Sequence, residues 1–238
     1  MNILITNDDG INAIGLKALV KVASKYGKCV VVAPKFEQSA KSHSLILRKE
    51  LEFKKINDIL EGVDTYYLDS TPADCVRVAY SMFDINFDLV LSGVNNGYNL
   101  GEDILYSGTM AAATEAALLG MKAIAFSTQY QDVDKIDNYL NEVMKYIIEN
   151  KYLDVWSLYN VNIPIDYIGV KHCVQGYTHF KIEYEKINDY VKSVGRPVIC
   201  PDEIENSDVN AVYNRYVSIS PLAYNRTNFD ILKKISIK

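Results

Sequence analysis

Near the start of the chain, Ile3, Leu4 and Ile5 form an apolar run with no helical period, and it stops at Thr6-Asn7-Asp8-Asp9-Gly10. A run this short cannot be a buried helix, and apolar residues on successive positions require a strand covered on both faces. The pattern returns at residues 29–33 before Pro34, at 87–91 before Ser92-Gly93-Val94-Asn95-Asn96-Gly97, at 123–127, and at 155–163 before Pro164, with a shorter candidate at 66–68. Between these runs the spacing turns helical. Leu16, Leu19, Val20 and Ala23 share a face, and Ile136, Tyr139, Leu140, Val143 and Ile147 share another. Thr71-Pro72-Ala73-Asp74 opens a third helix with an N-cap, a proline at the first position and an acid at the positive end, and Cys75, Ala79 and Met82 form its buried face. An alanine-rich fourth helix over 110–119 follows Ser107-Gly108-Thr109 and stops at Gly120.

Strands alternating with helices specify an α/β fold, a doubly wound, mostly parallel, Rossmann-like sheet. Its expected core is residues 1–165. Beyond that the pattern changes. Phe180, Ile182 and Tyr184 alternate with Lys181, Glu183 and Glu185, a period of two that predicts one half-exposed antiparallel strand with a turn near Asn188-Asp189. A further strand is expected at 216–219. Residues 166–238 therefore read as a C-terminal β-hairpin arm, used in oligomer contacts, and a returning segment that completes the same domain.

Composition removes several classes. The 238 residues carry a net charge of -5 and no basic excess to neutralise a nucleic-acid polymer, although one nucleotide needs only a local site. No segment approaches the roughly 20 apolar residues of a membrane span, and no secretory signal opens the chain. Cys29, Cys75, Cys173 and Cys200 form no C-x-x-C pair and read as small buried hydrophobes in a reducing cytoplasm. His43, His172 and His179 lack zinc-ligand spacing. No G-x-G-x-x-G follows the first strand, which disfavours a dinucleotide oxidoreductase.

In an open α/β sheet, ligands bind beyond the carboxyl ends of the strands. Asp8 and Asp9 leave the first strand, Ser39 the second, and Asn95 the strand ending at Leu91. Two carboxylates, a hydroxyl and an amide oxygen suit one hard divalent ion, Mg²⁺ or Mn²⁺, which also relieves the repulsion of adjacent acids. Taken singly, each residue also fits an ordinary turn or a solvated loop. Ser107-Gly108-Thr109 offers free N–H groups, hydroxyls and a helix dipole to an anion, although an ordinary N-cap would look the same. A cation site facing a phosphate cradle is what phosphoester hydrolysis requires.

The residues that carry this chemistry resemble those of the SurE family, the stationary-phase survival nucleotidases. The matching blocks are Ile5-Thr-Asn-Asp-Asp-Gly-Ile11, Ala33-Pro34 with Gln38-Ser39, and the long run from Ser92-Gly-Val-Asn95 through Asp103 and Ser107-Gly-Thr109 to Glu115. Thr71-Pro-Ala-Asp-Cys75, Asn160-Val-Asn-Ile-Pro164 and Tyr216-Val-Ser-Ile-Ser-Pro-Leu222 support it. The resemblance is dense to about residue 165 and thin to Leu222. It implies a divalent-metal-dependent phosphatase of nucleoside 5′-monophosphates, with 3′-monophosphates and short polyphosphate as further substrates. It implies metal ligands at Asp8, Asp9, Ser39 and Asn95, a phosphate region at Asn96 and Ser107-Gly108-Thr109, and dimers or tetramers held partly by C-terminal arms. Three features depart from the family pattern: Ala40 after the loop serine, Lys41-Ser-His-Ser44 in place of an asparagine-rich tract, and an arm at 185–200 without the Asp-Pro-Arg-Gly run. Ser220 also replaces the family's threonine.

The expected reaction is hydrolysis of a phosphomonoester by an activated water, with Asp8 and Asp9 as the catalytic pair and one divalent ion per subunit. Two rivals stand beside it. An aspartyl-phosphate phosphatase would usually separate its acids by one residue, and a nucleotide or metal sensor would bind without turnover.

Overall fold

The computed structural model describes residues 1–198 and 204–235. The chain runs β1 (Asn2–Thr6), α1 (Ile14–Ala23), β2 (Lys28–Pro34), β3 (Phe53–Ile56), β4 (Asp64–Leu68), α2 (Pro72–Met82) and β5 (Leu89–Asn96). A 3-10 turn at Gly101–Leu105 then leads to α3 (Gly108–Leu118), β6 (Lys122–Thr128), α4 (Asp137–Glu149), α5 (Tyr152–Val155) and β7 (Leu158–Ile163). The remainder is β8 (Gly169–His172), β9 (His179–Lys181), β10 (Tyr184–Ile187), β11 (Tyr190–Ser193), β12 (Arg196–Val198), α6 (Asp208–Tyr213), β13 (Tyr216–Pro221) and α7 (Phe229–Ile235).

Nine strands form the main sheet in the order β3-β4-β2-β1-β5-β6-β7-β13-β8. From β4 to β7 every pairing is parallel, as the alternating pattern requires. The side chains of β1 alternate between two cores. Ile3 and Ile5 join the face packed with Leu16, Leu19 and Leu140, and Leu4 joins the opposite face with Val76 and Ala116. Each such buried aliphatic contributes about 1.5–3 kcal/mol. The sheet winds outward from β1 through β2 to β4, then returns to β5 on the other side of β1. That reversal puts the topological switch point between the carboxyl ends of β1 and β5, where Thr6 pairs with Ser92.

Two expectations are corrected. The run at 155–163 is not one strand. Residues Tyr152–Val155 form the short α5, with the Trp156 N–H bonded to the Tyr152 carbonyl at 3.1 Å, and β7 begins at Leu158. Val155 and Trp156 are apolar but exposed, so they carry the run's hydrophobicity without its burial. The sheet continues past β7, where β13 pairs antiparallel with it and β8 pairs parallel with β13. The alternation at 180–185 is likewise split. β9 pairs with β12, and a separate hairpin joins β10 to β11. The hairpin turns at Asn188-Asp189, with Asn188 at φ +55°, a left-handed conformation that asparagine tolerates. The edge strand β3 and the helix α7 have no counterpart in the sequence reading. No helix among the described residues is long and apolar enough to cross a membrane.

Candidate active site

The β1 exit turn is stitched to its neighbours by backbone bonds. The Asn7 side chain closes the turn on the Gly10 carbonyl at 3.0 Å, and the Ile11 N–H reaches the Pro34 carbonyl at 2.8 Å. The Gln38 N–H donates to the Asp8 carbonyl at 2.7 Å, which draws the β2 exit loop over the acids. Gly10 takes φ +94°, and a Cβ there would stand 3.2 Å from the Phe36 backbone, so both conformation and close approach call for glycine. From the other side, the Asn96 N–H donates to Oδ2 of Asp9 at 3.2 Å.

Asp8 is buried. Burial raises its carboxyl above the ordinary range, while the Thr109 hydroxyl and the Gly108 and Thr109 amides pull the other way. Asp9 is pushed up to about 6, first by burial, then by the Asp8 charge, with the Asn96 N–H opposing and Glu37 adding to the rise. Two desolvated, mutually repelling carboxylates are the electrostatic condition a divalent cation relieves.

Ser39 sits at the same rim and donates to Oε1 of Glu37 at 2.6 Å, leaving its oxygen lone pairs available. Asn95 donates through Nδ2 to the Gly97 carbonyl at 2.7 Å. A carbonyl only accepts, so this bond fixes the amide orientation and leaves Oδ1 as a free donor of electron pairs. Asp8, Asp9, Ser39 and Asn95 all line one cavity of about 570 Å³, with Asn96 and Ser107 in the same wall. Among the described residues no three His, Cys, Asp or Glu side chains converge on a point. The fit to a hard cation therefore rests on the mixed set of two carboxylates, one hydroxyl and one oriented amide oxygen, which suits an ion that keeps several waters.

The helix terminus is arranged differently from its sequence reading. Ser107 is the N-cap of α3, its Oγ accepting from the Met110 N–H at 3.1 Å, and it also lines the cavity. Gly108 and Thr109 meet Asp8 instead of open space. A Cβ on Gly108 would stand 2.7 Å from the Asp8 Cβ, and the Thr109 hydroxyl donates to Asp8 Oδ1. The first anion that the α3 terminus serves is thus the protein's own carboxylate.

The sequence reading missed Glu37, Asn99, Asp103 and Tyr130, which also line the cavity. Glu37 lies two residues before Ser39 in the same loop. Tyr130 follows β6, a strand whose exit loop the switch-point rule also covers. A second cavity of about 480 Å³ lies on the far side of Ser107, between the α3 surface and the β13 exit, and is walled mainly by apolar groups.

The family model described as "Survival protein SurE" matches residues 3–184. A "5'-nucleotidase SurE" of Clostridium botulinum (strain Alaska E43 / Type E3) is 39% identical over 250 residues, covering 99% of this chain and 98% of that protein. The "5'-nucleotidase SurE" of Clostridium beijerinckii is 39% identical over 254 residues at the same coverage. Among solved structures, the SurE protein from Aquifex aeolicus matches with a TM-score of 0.81 and 34% identity, over 100% of this chain and 99% of that one.

Proposed function

This chain belongs to the SurE family, and from that premise we propose that it is a divalent-metal-dependent phosphomonoesterase that hydrolyses nucleoside 5′-monophosphates to nucleoside and phosphate. Nucleoside 3′-monophosphates and short polyphosphate are proposed as further substrates. The observation that carries the reading is the convergence of the β1 and β2 exit loops, the carboxyl end of β5 (which runs past the expected end at Leu91 to Asn96) and the α3 terminus on one cavity that holds two desolvated carboxylates.

In this reading Asp8 and Asp9 hold one Mg²⁺ or Mn²⁺ ion per subunit, and Ser39 and Asn95 complete its protein ligands. When bound, the ion supplies Lewis acidity toward the phosphoryl group and toward water. Thr109 holds the Asp8 carboxylate in one orientation, and the Asn96 N–H does the same for Asp9. Asn96 and the Ser107 turn orient the phosphate. Attack on phosphorus by Asp8 is disfavoured because Asp8 is 4% exposed and one of its oxygens is engaged by Thr109, and trapping a phosphoryl-enzyme would revive the aspartyl-phosphate rival.

We also propose that the chain assembles as a homodimer or homotetramer through its arm, where Tyr184, Tyr190 and Val191 are exposed, with residues 166–238 otherwise completing the domain of 1–165. A cytoplasmic location accords with the free Cys29, Cys75 and Cys173.

A phosphate-release screen over nucleotides with Mn²⁺, Mg²⁺ and chelator tests the reading. Release from nucleoside 5′-monophosphates that chelation abolishes is the expected result. Binding without release would leave the sensor alternative, and release unaffected by chelation would overturn the metal assignment.

A further inference from the structure

We propose that Tyr106 and Tyr130 form an aromatic seat for the substrate's nucleobase at the mouth of the catalytic cavity, an inference that rests on the nucleotidase reading above. Eighteen tyrosines occur in the chain, so exposure alone selects nothing. What selects these two is the chemistry of the wall. The residues that line the cavity are carboxylates, amides, hydroxyls and one alanine, and among the described residues Tyr106 and Tyr130 are its only aromatic members. A flat heteroaromatic base that enters with its phosphate has no other large apolar face in this cavity to lie against. Tyr106 and Tyr130 are 61% and 66% exposed, and a phenol face left in water gains by being covered.

Both rings are carried on backbone pinned beside the phosphate side of the site. Tyr106 immediately precedes Ser107. Its N–H donates to the Asp103 carbonyl at 3.0 Å, and its own carbonyl accepts from the Ser42 N–H at 3.0 Å. Tyr130 immediately precedes Gln131, whose N–H donates to Oδ1 of Asn96 at 2.9 Å, with Gln131 held at φ +69°. One ring is thereby indexed to Ser107 and the other to Asn96, so each sits at a fixed reach from the phosphate contacts. Tyr98, the other tyrosine close in sequence, is excluded. Its ring packs against Leu100, Val209 and Val212, and it does not line the cavity.

Stacking tolerates any base because every base has a π-face, and it is stronger for the larger bicyclic purines. The seat therefore predicts purine over pyrimidine nucleoside monophosphates. The test compares adenosine 5′-monophosphate with ribose 5-phosphate, which keeps the sugar and phosphate but lacks the base. In Tyr106→Ala/Tyr130→Ala, kcat/KM for adenosine 5′-monophosphate should fall about ten-fold, carried by KM. The inhibition constant of ribose 5-phosphate as a competitor, readable whether or not it is cleaved, should stay within about two-fold of the parent value. Tyr106→Phe/Tyr130→Phe should recover the parent KM, since stacking survives loss of the hydroxyls. An unchanged KM for adenosine 5′-monophosphate, or an equal loss for both compounds, overturns the seat and leaves the nucleotidase reading standing. A parent protein that releases no phosphate from any nucleotide overturns that reading and the seat with it.

Discussion

The Thr109 hydroxyl donates a hydrogen bond to Oδ1 of Asp8 across 101 positions of sequence. It ties the first turn of α3 to the tip of β1, and so couples the helix terminus to the acid pair. Thr109→Val keeps the shape and removes the donor. A buried carboxylate left without that partner costs about 1–3 kcal/mol. Thermal unfolding should show a lowered Tm, and half-maximal activity should need several-fold more Mn²⁺. A variant with the parent's Tm and metal requirement would show that the bond positions nothing.

Protonation of the acid pair gives a second expectation, with a definite sign. Asp9 is near 6 in the folded protein and returns to about 3.8 when unfolded. The folded state then holds the proton more tightly, so the acid form favours folding. That contribution is present in full below about 3.8 and is lost as pH rises through about 6. Asp8, raised by burial, acts in the same direction. Metal-free protein should thus carry a cost at pH 7.5 that a divalent cation relieves, while at pH 5 protons compete with the ion. Calorimetry in EDTA and in Mn²⁺ should give a larger metal-induced Tm shift at pH 7.5 than at pH 5. Equal shifts would contradict the assignment.

Asp9→Asn follows from the same electrostatics. The substitution removes a like charge beside Asp8 and keeps an oxygen ligand, so the metal-free fold should be at least as stable as the parent. Turnover should nevertheless drop by two orders of magnitude or more, since the neutral amide binds a hard cation poorly. Phosphate release and Tm measured on one preparation separate the two effects. Unchanged turnover would remove Asp9 from the site.

The parts of this arrangement that the sequence displays are local ones. Ile3-Leu4-Ile5 specifies its strand because each residue meets a core on its own face. Thr71 is legible as an N-cap, and its hydroxyl does accept from the Asp74 N–H at 3.2 Å. Asp8, Asp9, Ser39 and Asn95 could be gathered to one cavity because the switch-point rule turns distant segments into neighbours. What stayed hidden depends on contacts that no window of sequence contains. β8 has no buried residue and takes its place only by pairing with β13. β3 reads Phe-Lys-Lys-Ile, an edge strand with two exposed lysines, so no apolar run betrays it. The contact of Gly108 and Thr109 with Asp8 was equally hidden, because Asp8 lies a hundred positions away.

The segment after Ser39 has its own fastening. Glu115, 5% exposed in the middle of α3, faces His43 Nε2 at 2.6 Å and accepts from Arg77 Nε at 3.0 Å. Nearby, the Thr71 hydroxyl donates to the Ser44 carbonyl at 2.8 Å and the Ser42 N–H to the Tyr106 carbonyl at 3.0 Å. These contacts pin the loop that carries Ser39 to two helices. His43→Ala should lower stability by about 1 kcal/mol, and Glu115→Ala by more, because it removes the acceptor of two side chains. Both should weaken Mn²⁺ binding through a looser Ser39, read as a raised metal concentration for half activity. A raised metal requirement in neither variant would separate the latch from the site.

Gly108 decides between two opposed effects. In a helix, alanine is favoured over glycine by about 0.5–1 kcal/mol. Here, however, an added Cβ would stand 2.7 Å from the Asp8 Cβ, 3.0 Å from Asp8 Oδ2 and 3.2 Å from Pro72 Cγ. Carbon atoms rest near 3.5–4.0 Å, and overpacking of this kind typically costs about 1–3 kcal/mol, more than the propensity gain. The methyl also pushes on the side chain whose position matters most, and a shift near 1 Å in a reacting site can lower rates about a hundred-fold. Gly108→Ala should therefore unfold at lower temperature and lose at least ten-fold in metal-dependent phosphate release. Partial recovery on raising Mn²⁺ would mark displacement of Asp8 as the cause. A fully active, equally stable Gly108→Ala protein would mean that α3 does not press against the acid pair.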